Sequence, residues 1–195
     1  SQAMEASKDD IVDALFDRPA EEGVTLALLV QQRGEVVAER YGVQPENIFQ
    51  PAVEITAEST LISWSMAKSI THAAVGILVA DGLLDVDAPA PVPEWKGTEK
   101  EQITLLQLLE MRSGLRFVED YVDDSVSHCI EMLFGESGPS HAAYAAALPL
   151  DREPGSHWSY SSGTTNIVSR IIGDVVRGGP GGDPAERKAA TYRFL

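Results

Sequence analysis

The stretch SMAKSITHAAVGILVA, from Ser65 to Ala80, decides the fold, because it joins the chain's one Ser-x-x-Lys motif to a strongly apolar helical run. Residues three apart share one face of a helix, so the Ser65 hydroxyl and the Lys68 amine are expected to meet. The positive helix N-terminus and the apolar surround both favour the neutral amine over the ammonium. A neutral amine can take the serine's proton, so the motif predicts a nucleophile and its base. A chance tetrapeptide is the alternative, since average composition produces one in roughly every second chain of this size.

A second motif, Tyr160-Ser161-Ser162, is the one Tyr-x-Ser or Tyr-x-Asn in the chain. It follows the turn signal at Pro154-Gly155 and precedes another apolar helical run, so Tyr160 is predicted on a loop, where catalytic groups are often placed. A tyrosine held beside a serine and a lysine can relay a proton to a leaving group. The alternative is a tyrosine that packs against Trp158.

The order of these two motifs resembles the serine β-lactamase and penicillin-binding DD-peptidase-like hydrolases. The similarity is greatest to the branch that contains class C β-lactamases, related esterases and 6-aminohexanoate-dimer hydrolases. It extends from about Val24 to Val176 and rests on four segments in the family's order. These are the nucleophile segment Ser63–Ser69, the turn Asp81–Asp87, the next helix and turn (Ile103–Leu109 with Arg112–Leu115) and the tyrosine segment Pro154–Asn166.

The resemblance implies a serine hydrolase that forms an acyl-enzyme on a small-molecule ester, amide or β-lactam. Ser65 would be the nucleophile, Lys68 the base and Tyr160 the proton relay. Tyr121 resembles a lid tyrosine of the amide-hydrolase branch, although a packed surface aromatic explains it as well. Tyr121 and Ser162 are the expected substrate-binding residues. This chemistry calls for no cofactor and no metal.

One family motif, Lys/His-Thr/Ser-Gly, does not follow Tyr160 in this sequence. Arg112-Ser113-Gly114 matches its letters loosely but precedes the tyrosine, and we interpret Gly114 as the residue that stops a helix. The missing triplet keeps a second function open. In that alternative the protein is penicillin-binding-like, and it binds or senses a ligand without turnover.

The predicted fold class is α+β, in which an antiparallel sheet packs with helices beside a mostly helical region. Residues 1–62 are expected to hold an N-terminal helix and a hairpin, and residues 63–176 the helical region with the motifs. Residues 177–195 are expected to hold a Gly-rich linker and the start of a last helix. Two strands alone are marginally stable. The domain is therefore expected to be incomplete at its C-terminus, with a further segment or a second chain completing the sheet.

Local signals predict the individual elements. A helix is expected from Ser7 to about Asp17, and a hairpin is expected from strands Val24–Val30 and Glu35–Tyr41 around Arg33-Gly34. The remaining predictions are extended pieces at Thr60–Ile62 and His157–Ser159, a loop over Asp85–Trp95, a Thr104–Gln107 capping box for a helix ending near Met111, helices over Ser125–Phe134 and Ser140–Ala147, and a last helix with Asp183 as N-cap.

The composition argues against several classes of binding partner. The chain carries 15 basic and 30 acidic residues, a net charge of −15, which argues against nucleic acid and anionic membrane surfaces. No apolar stretch is long enough to span a bilayer. The single Cys129 is expected to be a small buried residue, and it cannot form an internal disulfide. The sequence leaves a periplasmic and a cytoplasmic location equally open.

Overall fold

The computed structural model describes residues 7–121, 126–136, 138 and 140–195, and these form the predicted α+β architecture. The chain divides into two compact units, residues 1–62 and residues 63–195. The described part of the first unit contains one α-helix and four short strands. In the described part of the second unit, the regular elements are helices.

The N-terminal helix α1 (Lys8–Phe16) confirms the predicted element and begins at a capping box. Ser7 Oγ accepts the Asp10 N–H at 3.1 Å, and the Asp10 carboxylate accepts the Ser7 N–H at the same distance. These bonds to Ser7 lower the pKa of the Asp10 carboxyl. The helix packs on the chain that follows it, because the Arg40 guanidinium lies 4.7 Å from the centre of the Phe16 ring.

Strands β1 (Ala27–Gln32) and β2 (Glu35–Tyr41) form the predicted antiparallel hairpin. Its two-residue turn has positive φ at both Arg33 (53°) and Gly34 (86°). This geometry matches the right-handed twist of the two strands. The turn therefore lies where the Arg33-Gly34 signal predicts it.

The first strand begins at Ala27 and not at Val24 as predicted. The Thr25 hydroxyl donates a hydrogen bond of 2.8 Å to the Leu15 carbonyl at the end of α1. Because this bond holds Thr25 against the helix, the strand that pairs with β2 starts only after Thr25.

Two short strands were not predicted, and one piece that was expected to be extended forms no strand. Strands β3 (Val43–Gln44) and β4 (Val53–Glu54) pair antiparallel, but two residues are too few to show an alternating pattern. Thr60–Ile62, expected to be extended, belongs to no strand. Within residues 7–62 the strands form two separate two-stranded sheets.

Six α-helices lie in the described part of the second unit, and α6 is central because it contacts each of the others. Its buried apolar residues recur with the period of a helix, so one face of α6 forms the middle of the core. The helices are α2 (Lys68–Ala80), α3 (Leu105–Leu109), α4 (His128–Phe134), α5 (His141–Ala147), α6 (Ser162–Arg177) and α7 (Pro184–Phe194).

The segment Asp85–Trp95 is the predicted loop, except for a 3₁₀ turn at Pro93–Trp95. Trp95 closes one side of the core and is only 2% exposed. Its indole N–H donates to the Ala146 carbonyl at 2.9 Å, so the polar end of the buried ring is satisfied.

Helix α3 has the predicted capping box at Thr104 and Gln107, but its stop residue is Met111 and not Gly114. Met111 has a φ of 58°, and the next amide, that of Arg112, donates back to the Gln107 carbonyl at 2.8 Å. Gly114 serves a different purpose. A Cβ there would lie 2.2 Å from the Arg152 carbonyl oxygen, so a glycine allows two chain segments to approach closely.

The predicted helix Ser125–Phe134 begins later than expected, at His128 with Ser127 as its N-cap. Ser125 lies outside the described residues. The helix predicted over Ser140–Ala147 is confirmed, with its serine as the N-cap of α5. In both helices the cap chemistry, and not the apolar pattern, sets the first residue.

The Gly-rich linker separates α6 from α7 as predicted. Gly178 ends α6 with a φ of 100°, a conformation that glycine adopts without a steric cost. Asp183 then caps α7 and accepts the Ala185 N–H at 3.0 Å. An ion pair of 2.6 Å between Arg187 and Asp174 holds α7 on α6.

Candidate active site

The proposed nucleophile and base are in contact. Lys68 Nζ lies 3.0 Å from Ser65 Oγ, so the pair predicted from the sequence is brought together. The predicted backbone is partly wrong, because Ser65 belongs to a 3₁₀ turn (Trp64–Ala67) and α2 begins only at Lys68. In a 3₁₀ turn, residues three apart are eclipsed. The turn therefore directs both side chains to the same side.

Trp64, immediately before the nucleophile, has an unusual backbone. Its φ is 45°, which is a strained value for a residue with a bulky side chain. Such strain persists where the surrounding structure enforces it, and it is common at functional sites. Ser65 itself is exposed, and a substrate can therefore reach its hydroxyl.

Ser162 is the second partner of Lys68. The ammonium or amine donates to Ser162 Oγ at 3.2 Å, although the two residues are far apart in sequence. The placement follows from the start of α6, where Ser161 is the N-cap and its hydroxyl accepts the Thr164 N–H at 2.9 Å. The cap places Ser162 at the first position of the helix, next to Lys68.

Tyr160 also lies beside Lys68, as the motif predicts. The centre of its ring is 4.9 Å from Lys68 Nζ, which is a cation–π distance. The segment before it, His157–Ser159, was expected to be extended and belongs to no strand. It is held instead by a main-chain bond of 2.8 Å from the Ser159 N–H to the Met111 carbonyl.

Sequence reasoning missed Glu119. One of its carboxylate oxygens accepts the Ser162 N–H at 2.7 Å, and the other accepts the Ser162 hydroxyl at 2.8 Å. The second oxygen also accepts the Tyr121 hydroxyl at 2.7 Å. The only sequence signal was its position two residues before Tyr121, and no local pattern links Glu119 to a serine 43 residues away.

Tyr121, the predicted lid residue, has an anchored hydroxyl and a ring that is 65% exposed. Its oxygen lies 3.1 Å from Cys129 Sγ. The contact with Cys129 is the main cause that raises the pKa of Tyr121, and burial and the nearby Glu119 raise it further. Cys129 is buried as predicted, and burial raises the pKa of its thiol. The contact between the two was not foreseen.

Similarity to known proteins places the chain in a family. The beta-lactamase family model matches residues 12–187, and the chain therefore belongs to the beta-lactamase family. It is 33% identical to the 6-aminohexanoate-dimer hydrolase of Paenarthrobacter ureafaciens over 112 residues. That match covers 55% of this chain and 26% of the relative.

Two solved structures show the same fold. A Bacteroides dorei DSM 17855 protein provisionally described as a beta-lactamase has a TM-score of 0.60 and 22% identity, over 88% of this chain and 46% of that one. A Bacillus anthracis protein provisionally described as a 6-aminohexanoate-dimer hydrolase has a TM-score of 0.61 and 21% identity, over 97% of this chain and 46% of that one. The chain thus spans less than half the length of each of these relatives.

Within the described residues, no helix is both long and apolar enough to cross a bilayer.

Proposed function

We propose that this chain is part of a serine acyl hydrolase in which Ser65 attacks a carbonyl carbon and forms an acyl-enzyme. The observation that carries the proposal is the distance of 3.0 Å between Lys68 Nζ and Ser65 Oγ. A nucleophile within hydrogen-bond reach of its base is the common signature of an activated serine. Membership of the beta-lactamase family and the similarity to a 6-aminohexanoate-dimer hydrolase support the proposal.

Lys68 is the proposed general base. As a neutral amine it takes the Ser65 hydroxyl proton while Ser65 Oγ bonds to the carbonyl carbon and the carbonyl oxygen becomes an oxyanion. The Ser65 N–H is one proposed donor to that oxyanion. When the tetrahedral intermediate collapses, the bond to the leaving group breaks, and the proton passes from Lys68 through Tyr160 to the leaving group. Water then attacks the acyl carbon and releases Ser65.

A linear amide or a simple ester is the proposed substrate. The name of the curated relative points to a dimer of 6-aminohexanoate, whose two halves are joined by an amide bond. Tyr121 and Ser162 are the proposed substrate-binding residues. Tyr121 suits this role because its ring is exposed while its hydroxyl is anchored on Glu119.

Hydrolysis of p-nitrophenyl acetate by the whole protein to which this chain belongs tests the proposal. We expect a burst of p-nitrophenol equal to the enzyme concentration, followed by steady turnover, because an acyl-enzyme that forms faster than it is hydrolysed accumulates. Ser65→Ala should show neither phase. A burst without turnover would favour a ligand-binding protein, and no reaction at all would contradict the proposal.

A double-mutant cycle tests the proton path. Lys68→Ala and Tyr160→Phe are each expected to lower kcat by about 10²- to 10⁴-fold, because each removes a proton-transfer step. The double variant should be little worse than the poorer single variant, since residues that act as a unit are not additive. A kcat close to wild type in Tyr160→Phe would remove Tyr160 from the mechanism.

A further inference from the structure

Three hydrogen bonds from Ser162 and Tyr121 end on the carboxylate of Glu119, which has no part in the proton path above. The donors of these bonds are the Ser162 N–H, the Ser162 hydroxyl and the Tyr121 hydroxyl, at 2.7, 2.8 and 2.7 Å. A carboxylate is the one side-chain group that can accept all three without turning a donor of its own toward them. The site therefore requires an acceptor at this position.

The hydrogen bond from the Ser162 hydroxyl to Glu119 sets the direction of the hydrogen bond between Ser162 and Lys68. A hydroxyl has one proton, and Ser162 gives that proton to Glu119, so only its lone pairs face Lys68. Lys68 must then donate an N–H across the 3.2 Å that separates Nζ from Ser162 Oγ. Glu119 thus determines which partner donates in a bond that it does not itself make.

The direction of the bond between Ser162 and Lys68 decides whether Lys68 can act as a base. A neutral amine has two N–H groups and one lone pair in tetrahedral directions. If one N–H is given to Ser162, the lone pair is free to point at Ser65 Oγ, 3.0 Å away. If Ser162 instead donated to Lys68, that lone pair would be occupied, and Lys68 could offer Ser65 only an N–H. Only the first arrangement lets Lys68 accept the proton of Ser65.

We infer that Glu119 is a positioning residue that orients the Lys68 lone pair toward Ser65 through the hydroxyl of Ser162. The inference rests on the proposed serine hydrolase function. Glu119 also anchors Tyr121 on the carboxylate oxygen that holds the Ser162 hydroxyl. One carboxylate therefore positions both the partner of the base and the proposed lid residue.

Glu119→Gln in the whole protein to which this chain belongs tests the inference, because it keeps the shape but replaces one acceptor oxygen with a donating amide. We expect kcat for p-nitrophenyl acetate to fall by about 10- to 100-fold, the cost of a misplaced catalytic group, with a smaller change in KM. Glu131→Gln is the matched control, because Glu131 also accepts a tyrosine hydroxyl, that of Tyr144 at 2.9 Å, on α4. The control should keep the wild-type kcat.

The Ser162→Ala background separates positioning from a general structural role. There the Ser162 hydroxyl is gone, and an amide oxygen can still accept the remaining Tyr121 hydroxyl, so adding Glu119→Gln should lower kcat by less than about twofold more. Ser162→Ala alone should lose about as much kcat as Glu119→Gln, and this holds as a test even if Glu119→Gln does not fold.

The two proposals fail differently. An active wild type in which either single variant keeps its kcat within about twofold overturns the role of Glu119 alone. That role is also overturned if Glu119→Gln costs as much in the Ser162→Ala background as it does in the wild type. A wild type with no turnover overturns the proposed function and the positioning role together.

Discussion

The two compact units of the chain differ in how many of their apolar side chains are buried. Among residues 7–62, only Ile55 is buried, and the hairpin leaves Leu29 and Val36 more than half exposed. In the second unit, the helices enclose one continuous apolar core in which Leu78 and Ile171 are each 1% exposed. The first unit is held mainly by backbone pairing and exposed polar contacts, whereas the second is held by packing.

The candidate site lies entirely on the packed unit. Lys68 begins α2, which contributes Leu78 to the core, and Ser65 lies in the turn that leads directly into this helix. Ser162 is carried by α6, which contributes the middle of that core. A site is held to its geometry by elements whose own positions are fixed by packing. The geometry of the candidate site therefore depends on the core of residues 63–195.

The largest expected difference between the units comes from truncating one leucine in each. Leu78→Ala leaves a cavity in the core and should lower the free energy of unfolding by about 2–5 kcal/mol. Leu29→Ala removes a side chain that is 57% exposed, and it should change that free energy by less than about 0.5 kcal/mol. Urea unfolding of both variants provides the measurement. Equal losses would contradict the contrast between the units and would indicate that the hairpin face is covered in solution.

A pair of helical glycines probes differences in packing within the second unit. A Cβ at Gly163 of α6 would lie 2.4 Å from the Phe117 ring, so Gly163→Ala should cost about 1–3 kcal/mol through overpacking. A Cβ at Gly76 of α2 would have open space around it, with no packing neighbour within 4 Å. Gly76→Ala should therefore stabilise the protein by about 0.5–1 kcal/mol. The midpoints of thermal unfolding should move in opposite directions, and a loss in both variants would show that α2 is more crowded than its geometry indicates.

A smaller effect is expected from the ion pair between Glu94 and Arg170. Partial burial raises the pKa of Glu94, but the two hydrogen bonds and the charge of Arg170 outweigh it and hold the pKa below the ordinary 4.5. A lowered folded-state pKa gives stability above about pH 4.5 that is lost as the pH falls through the folded value.

Glu94→Gln removes this dependence. Because the Glu94 side chain is 47% exposed, the variant should be less stable than wild type by only about 1 kcal/mol at pH 7. The difference should shrink toward pH 3, and chemical unfolding at both pH values measures it. A difference that grew as the pH fell would have the wrong sign for a carboxylate stabilised by Arg170.

The sequence predicted features whose cause is local. The helix start at Ser7, the capping box at Thr104 and the Asp183 cap depend on residues within one turn, and all three were located correctly. The Ser65–Lys68 contact is also local, because it depends on a spacing of three. Such features can be derived from spacing and residue type alone.

Features that depend on distant partners could not be predicted. Strand β1 starts late because Thr25 bonds to α1, ten residues earlier in the chain. Glu119 meets Ser162 only because folding brings two segments together. The catalytic motifs were therefore visible in the sequence, but the residue that we propose to orient them was not.

Activation of Ser65 as a nucleophile underlies the whole proposed mechanism, and covalent labelling tests it most directly. The whole protein to which this chain belongs should react with a fluorophosphonate probe, and peptide mass mapping should find one adduct, on the peptide that contains Ser65. Lys68→Ala should slow the labelling, because the base that activates the serine is gone. Label on a different serine, or undiminished label in Ser65→Ala, would contradict the assignment of Ser65 as the nucleophile.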